Sequence, residues 1–233
     1  MAVAGVVTFF VMDVLSSSVP YVNYASSSAA GKPVTMTIEA DPAAGLGSLP
    51  PSVTYMFKEP TGSPNSAASW VHTTLFDVPA HTLVKVTAYE FDTGDPLRNQ
   101  VWGVVGGVVG DKLTVNVSGC DGYCGSEKNP TQSVSLIDSN IYPYIGHTFT
   151  FPSLGLDVPL KGLSPLTPPT AVCPNAPCLP DQHPHTTTTF SFVTPGPGTY
   201  RWQCFIPCGY SYFDGQGGPM ATIGDMTGFM RVE

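Results

Sequence analysis

Short runs of alternating apolar and polar residues recur along the chain, and each run ends in Gly, Pro, Asn or Asp. The clearest spans residues 82–91. One face carries Leu83, Lys85, Thr87 and Tyr89, and the other carries Val84, Val86, Ala88 and Glu90. A period of two residues is that of a β-strand. Similar segments lie at residues 34–39, 112–117, 133–137, 147–151, 186–193 and 200–204. With almost no helical pattern between them, they predict an all-β fold, an antiparallel Greek-key sandwich or barrel.

The composition agrees with short strands and excludes several classes of protein. The 233 residues include 24 Gly and 24 Pro, which interrupt regular structure and argue against long helices. A hydrophobic share of 42% is enough for one good core or two small ones, which excludes a disordered chain. Because the net charge is −8 and the basic residues are scattered, nucleic acid is not expected as a partner.

Three long segments between the predicted strands are rich in Gly, Pro and Ser. They cover residues 41–71, 93–111 and 155–184. Long loops in a compact domain usually form binding surfaces or contacts with other subunits. The Gly-Val-Val-Gly-Gly-Val-Val-Gly run at 103–110 is not followed by Lys-Ser or Lys-Thr, so it does not predict a nucleotide site. No hydrolase motif is present either, and we expect no turnover by this chain alone.

The N-terminal residues 1–15 are apolar but include Asp13, and no basic residue precedes Lys32. The segment therefore lacks the basic region of a signal peptide. The stretch before its first charge is also shorter than the roughly 20 residues that cross a bilayer. It is either the end of a membrane anchor or a buried N-terminal strand or short helix. Residues 26–31 have the composition of a linker, so we expect an N-terminal segment over 1–32 and a single domain over 33–233.

Six cysteines fall into three close pairs: Cys120 with Cys124, Cys173 with Cys178, and Cys204 with Cys208. The first two pairs lie in loop sequence, where a local disulfide compensates for missing secondary structure. Disulfides indicate an oxidising location, so we expect an extracytoplasmic protein, periplasmic or on the cell surface. Zinc knuckles usually have a spacing of two residues, which these pairs lack. The third pair ends a predicted strand and is either a third disulfide or a pair of metal-binding thiolates.

Two motifs in the C-terminal half carry a family resemblance. Gly-His-Thr-Phe-Thr-Phe-Pro-Ser-Leu-Gly-Leu-Asp-Val-Pro occupies 146–159. Pro-Gly-Pro-Gly-Thr-Tyr-Arg-Trp-Gln-Cys-Phe-Ile-Pro-Cys-Gly occupies 195–209, and Gly-Gly-Pro-Met follows at 217–220. The pattern resembles the cupredoxins, most closely the copper-bearing domain of cytochrome oxidase subunit II. Over residues 82–232 the resemblance implies a cupredoxin-like sandwich with long loop insertions, holding one or two copper ions and transferring electrons.

The resemblance also implies a ligand set. Thiolate, imidazole and a weak thioether are donors that suit copper. They correspond here to His147, Cys204, Cys208 and Met220. The chain departs from the family at Tyr212, where the family has a His four residues after the second Cys. The 209–220 loop is also longer than in the family. The alternatives without a metal are that His147 is a structural histidine of the sheet and that Met220 only packs in the core or a loop.

A hairpin would supply the missing ligand from elsewhere. If segments 186–193 and 199–204 pair about the turn at 195–198, position 185 lies opposite position 208. This predicts that His185, or His183 two residues earlier, reaches the cysteine end of the sheet. The complete set of predicted metal ligands is His147, Cys204, Cys208, His185, His183 and Met220.

These features favour an extracytoplasmic copper-binding electron-transfer domain, as a subunit of a membrane oxidase. Its expected partners are a redox protein or the subunits of a membrane oxidase or oxygenase, with membrane attachment through the N-terminus as one option. A net charge of −8 favours a positively charged partner. One alternative is a copper-free accessory subunit of a membrane copper enzyme complex with the same fold. Another is a self-assembling surface protein, because β-rich chains with uncharged loops are suited to assembly.

Overall fold

The structure is a computed structural model that describes residues 20–26, 32–44, 52–124, 131–135, 144–208 and 218–233. Within these residues there are thirteen strands and several short 3₁₀ helices, and no α-helix. The strands are β1 (Val22–Asn23), β2 (Val34–Ala44), β3 (Ser52–Lys58), β4 (Trp70–Val71), β5 (Leu75–Val78), β6 (Leu83–Glu90), β7 (Leu113–Asn116), β8 (Thr131–Val134), β9 (Ile145–Phe151), β10 (Leu156–Lys161), β11 (Thr186–Val193), β12 (Gly198–Gln203) and β13 (Thr227–Val232).

The strands form two sheets that pack face to face, which confirms the predicted all-β sandwich. The first sheet has six strands in the order β1-β5-β13-β12-β9-β10. The second has seven, in the order β4-β3-β2-β6-β11-β7-β8. Both sheets are mixed rather than purely antiparallel, because β1 with β5, β5 with β13 and β2 with β6 are parallel pairs.

The core between the sheets is aromatic. Trp202 from the first sheet packs against Tyr55 from the second, with ring centroids 5.1 Å apart. Phe149 lies 4.8 Å from Trp202, and Phe57 stacks on Phe76 at 4.8 Å. All five rings are fully buried or nearly so. Each buried ring stabilises the fold by about 1.5–3 kcal/mol relative to an exposed one, so this cluster fixes the distance and orientation of the two sheets.

The alternation of β6 has the predicted faces. Val84, Val86 and Ala88 are buried towards the core, whereas Lys85 is exposed on the other side. The same alternation in β11 buries every second residue from Thr186 to Phe192. Because the side-chain period of a strand is two, Glu90 falls on the core face although it is charged.

The predicted hairpin between residues 186–193 and 199–204 is wrong. All eight residues of β11 pair with β6 in the second sheet, whereas β12 pairs with β13 and β9 in the first. The hydroxyl of Thr194 donates to the carbonyl of Pro79 at 2.7 Å, and its N–H donates to Thr82 at 2.9 Å. These bonds hold the end of β11 to the second sheet, so the turn at 195–198 carries the chain across to the other one.

Two of the predicted long loops contain strands. The 41–71 segment includes β3 and β4, and the 155–184 segment includes β10. β10 follows β9 through a tight turn in which Gly155 has φ of +63°, a conformation that glycine adopts without strain. These strands are short, and β3 contains a Met and β10 a Pro. Both features obscure the alternation of apolar and polar residues that marks a strand. The 93–111 segment is irregular apart from 3₁₀ turns.

The N-terminal part joins the first sheet where it is described. Val22 and Asn23 pair with β5, and Val22 and Tyr24 are buried in the core. The remaining residues of the predicted 1–32 segment, apart from 20–26 and Lys32, lie outside the described residues. Across the described ranges, none of the helices has the length and apolar character needed to cross a bilayer.

Candidate metal centre

Cys204 and Cys208 lie just beyond the end of β12, inside the main core. Cys204 is fully buried and Cys208 is 6% exposed. Both are free thiols, whereas Cys120–Cys124 and Cys173–Cys178 are disulfides, as predicted for these two pairs. The structure therefore combines two disulfides with one pair of free thiols.

The two sulfurs lie 3.3 Å apart, close enough for one thiol to donate a hydrogen bond to the other. The backbone N–H of Thr148 donates to Cys204 Sγ at 3.4 Å. Burial raises the pKa of Cys204, but the Cys208 hydrogen bond and the charge of His147 outweigh it and lower the pKa to about 7. Burial and the neighbouring Cys204 raise the pKa of Cys208. At neutral pH Cys204 is therefore partly ionised, whereas Cys208 keeps its proton.

His147 stands on β9 with its ring on the core face, 1% exposed. Its Nδ1 lies 2.9 Å from a carboxylate oxygen of Glu90 on β6, and its Nε2 lies 3.9 Å from Asp92. Burial opposes a charge on the ring, but Glu90 and Cys204 raise the pKa of His147 to about 10. Burial raises the pKa of Glu90, while the His147 charge acts in the opposite direction. The imidazole is therefore a buried cation between a carboxylate and a sulfur.

Tyr55 closes the site from the second sheet. Its ring meets the His147 ring edge-on, with centroids 6.0 Å apart. Its hydroxyl donates to the carbonyl of Thr148 at 3.0 Å. Burial raises the pKa of Tyr55, so the hydroxyl keeps its proton. The Tyr55 hydroxyl thus holds β9 in place at Thr148, whose N–H donates to Cys204 Sγ.

Met220 is buried on the 3₁₀ helix Gly218–Ala221, and this segment is tied to the cysteines through the backbone. The N–H of Met226 donates to the carbonyl of Pro219 at 3.2 Å, and the N–H of Cys204 donates to the carbonyl of Met226 at 2.9 Å. Two successive backbone bonds therefore connect the helix that carries Met220 to Cys204. Tyr212, the residue that departs from the family pattern, lies outside the described residues.

The structure does not bring His183 and His185 to the cysteines. Because Thr186 faces the core, His185 falls on the outer face of the second sheet. Its ring packs against Tyr89 and Phe91, with centroids 5.4 Å from each, and its Nδ1 lies 2.9 Å from the carbonyl of His183. Burial lowers the pKa of His185, which favours the neutral ring.

Sequence reasoning missed Glu90 as a partner of the site. The signal was present, because the alternation of residues 82–91 assigns a glutamate to the apolar face. A charged residue at a core position is rarely buried unless it is paired. Across the described ranges, no three side chains among His, Cys, Asp and Glu form a group that could hold a metal ion.

No protein-family model matches the chain, and no curated protein is similar to it. Among solved structures, the copper protein rusticyanin is 17% identical, covering 93% of this chain and 84% of that one, with a TM-score of 0.28. Rusticyanin from Thiobacillus ferrooxidans is 16% identical, covering 91% and 82%, with a TM-score of 0.27. Auracyanin B is 14% identical, covering 88% and 91%, with a TM-score of 0.21. Similarities at this level do not establish a common family.

Proposed function

We propose that this chain is a copper-binding electron-transfer domain of the cupredoxin type that works outside the cytoplasm. One observation carries the proposal: a pair of buried free thiols, 3.3 Å apart, beside a buried histidine. Close thiols in an oxidising compartment normally join as a disulfide, as the other two pairs do. A metal ion bound by both sulfurs is a reason for this pair to stay reduced.

The donors fit copper in kind, although in the described residues Cys204, Cys208 and His147 do not form a closed ligand group. Two sulfurs and an imidazole are its preferred ligands, and a thioether is a common weak addition. Metal-bound histidines usually give their other ring N–H to a carboxylate, and Glu90 occupies that position at Nδ1 of His147. This leaves Nε2, which lies 3.9 Å from a carboxylate oxygen of Asp92, as the nitrogen for a metal. The proposed ligands are Cys204, Cys208 and His147, with Met220 from the adjoining helix.

Copper, when bound, supplies a one-electron change between its +1 and +2 states. The chain's own residues prepare the donors. The Thr148 N–H stabilises negative charge on Cys204 Sγ, and the aromatic core excludes water from both sulfurs. Because His147 holds a proton strongly, metal binding must displace that proton, and copper affinity rises with pH.

The location and partners follow from the same features. The Cys120–Cys124 and Cys173–Cys178 disulfides persist in oxidising compartments, which supports a periplasmic or cell-surface protein. A net charge of −8 favours association with a basic redox partner. We propose that this partner is a redox protein or a subunit of a membrane oxidase.

Copper content of the natively purified chain tests the proposal. We expect one or more equivalents of copper, with a visible absorption band from thiolate-to-copper charge transfer in the oxidised protein. Cys204→Ser removes the band. Cys173→Ser with Cys178→Ser is the matched control, since it removes two sulfurs outside the core and leaves the band unchanged.

A count of reactive thiols identifies the alternative. The copper-free chain, unfolded without reductant, should give two reactive thiols, from Cys204 and Cys208. No copper together with no reactive thiol would overturn the proposal. A copper-free accessory subunit with a third disulfide would then be the better description.

A further inference from the structure

A row of buried hydroxyls runs along the face of the first sheet that points away from the core. On β9, His147, Phe149 and Phe151 face the core, so Thr148 and Thr150 face outward. Both threonines are nevertheless buried, at 0% and 3% exposure. Buried polar groups normally have hydrogen-bond partners. The partners of these two threonines therefore indicate what the row does.

Four hydrogen-bonding groups form a continuous chain across β10, β9 and the cysteine segment. Asp157 Oδ1 lies 2.6 Å from Thr150 Oγ1, its direct cross-strand neighbour. Thr150 Oγ1 lies 3.0 Å from Thr148 Oγ1. The N–H of Phe205 donates to Thr148 Oγ1 at 2.9 Å. The chain therefore starts at a carboxyl group and ends on the residue that follows Cys204.

The number of protons fixes the direction of this chain, because each threonine hydroxyl has only one to donate. When Asp157 is ionised it can only accept, so Thr150 donates to it and Thr148 donates to Thr150. When Asp157 is protonated it can donate to Thr150, which then donates to Thr148. Between the two states, both threonine hydroxyls reverse the direction in which they donate. The Phe205 N–H can only donate, so its hydrogen bond keeps its direction.

Segment 102–111 makes a second connection between the same two ends. The backbones of Gly106 and Asp157 exchange two hydrogen bonds of 3.0 Å. Four residues earlier, the ring of Trp102 stacks on Phe205, with centroids 4.2 Å apart and planes 12° apart. Asp157 and Phe205 are thus fixed relative to each other both by the hydroxyl row and by this segment.

Few charged groups compete for Asp157. On β9 the titratable residue is His147, which lies on the opposite face. Among the described residues, β10 also carries Lys161, β12 carries Tyr200 and Arg201, and segment 102–111 ends at Asp111. Burial raises the pKa of Asp157 to about 6, while the hydrogen bond from Thr150 lowers it. The carboxyl therefore changes charge in a mildly acidic range.

We propose that Asp157 is a positioning residue that sets the polarity of the hydroxyl row and so makes the Cys204–Phe205 segment respond to pH. In the ionised state the row is polarised towards Asp157, which strengthens the bond from the Phe205 N–H through cooperativity. The added negative charge also favours the oxidised state of a metal at Cys204. This last consequence rests on the proposed copper site, whereas the relay from Asp157 to Phe205 does not.

The relay is tested in the full-length, reduced, copper-free chain by following the backbone amide proton of Phe205 by NMR between pH 4 and 8. We expect a step with a midpoint near pH 6 and a downfield shift as pH rises, in addition to a step near pH 7 from the adjacent Cys204 thiol. Thr150→Val keeps the shape of the side chain but removes the hydroxyl, so the Phe205 shift should lose the step near pH 6. Thr150→Ser restores the hydroxyl and this step. Asp157→Asn removes the step near pH 6 and keeps the step from Cys204.

The outcomes separate the relay from the copper site. A Phe205 amide that lacks the step near pH 6 in the wild type, or that keeps this step unchanged in folded Thr150→Val, overturns the relay. With copper bound, the reduction potential should fall as pH rises through the same midpoint, and Asp157→Asn should remove this step. If the NMR step near pH 6 is present but no copper binds, the relay is confirmed and the proposed function fails.

Discussion

Two environments in this chain treat a close cysteine pair in opposite ways. Cys173 and Cys178 form a disulfide in a small cluster with Phe91, apart from the main core. Cys204 and Cys208 remain thiols inside the main core. The sequence spacing of the two pairs is nearly the same, so spacing does not explain the difference. At Cys204 and Cys208, the His147 cation and the Thr148 N–H stabilise a thiolate. At Cys173 and Cys178, the disulfide closes a short loop and so constrains the unfolded chain.

The charge balance of the thiol environment can be broken at His147. In His147→Leu, Glu90 is left without its partner in the core. Removing one member of a buried pair costs about 3–5 kcal/mol, and we expect this loss in the free energy of unfolding at pH 7. Urea denaturation of the copper-free chain measures it. Adding Glu90→Gln should recover part of the loss, and a loss that is the same at pH 4 and pH 7 would contradict this account.

The disulfide environment contains two buried carboxyl groups, whose ionisation makes stability depend on pH. Glu39 and Asp41 on β2 are fully buried, and the backbone of Cys178 faces both. Burial raises the pKa of Asp41 from 3.8 to about 7, and it raises the pKa of Glu39 as well. A raised folded-state pKa gives stability that is complete below the unfolded pKa and is lost as pH rises through the folded one.

From pH 4 to pH 8 we therefore expect the free energy of unfolding to fall by up to about 4 kcal/mol from Asp41, at about 1.4 kcal/mol per pKa unit. Urea denaturation across this range measures the decline. Glu39→Gln with Asp41→Asn is the control that should flatten the curve. A double variant with the wild-type slope would show that other groups cause the pH dependence.

Removing the Cys173–Cys178 disulfide should have a smaller effect. Cys173→Ala with Cys178→Ala opens a short loop, for which the loss of stability is about 2 kcal/mol. Thermal or urea unfolding measures the loss. The thiol environment lies in a separate cluster, so the copper content should not change. Loss of copper in this variant would mean that the two environments are coupled.

The weakest link to the thiol environment is the stack of Trp102 on Phe205. An aromatic pair contributes about 0.5–1.5 kcal/mol beyond its buried area. Trp102→Leu should therefore cost about 1 kcal/mol in urea denaturation. Val101→Leu, at an exposed position in the same 3₁₀ helix, is the control and should be neutral. An equal loss in both variants would show that the stack has no special role.

The two strands that sequence analysis located most clearly share a period of two that is visible over eight to ten residues. These strands are β6 and β11, and both have the predicted faces. β10 and β13 were not predicted. β10 contains Pro159, and both of its faces are covered, so its residues do not alternate in burial. Because a Pro within a run argues against a strand, β10 was not predicted although its residues alternate in polarity.

The residues of the candidate site also divide into those that the sequence identified and those that only the structure identified. His147, Cys204, Cys208 and Met220 came from motifs whose residues are close in sequence. The partner of His147 came from β6, 57 residues earlier, and only the packing of the two sheets brings Glu90 to the ring. His185 was assigned to the site through a hairpin that does not form. The face of the second sheet on which His185 lies depends on the pairing of β11 with β6.

The sequence by itself determined the all-β class, the faces of its regular strands and the two local disulfides. Each depends on residues a few positions apart, and local geometry decides them. Only the tertiary structure decided which sheet each strand joined, which histidine lay beside the thiols, and which carboxylates were buried with or without a cation. Those outcomes depend on pairing and packing between segments that are distant in the chain, and many such pairings are compatible with the same local pattern of residues.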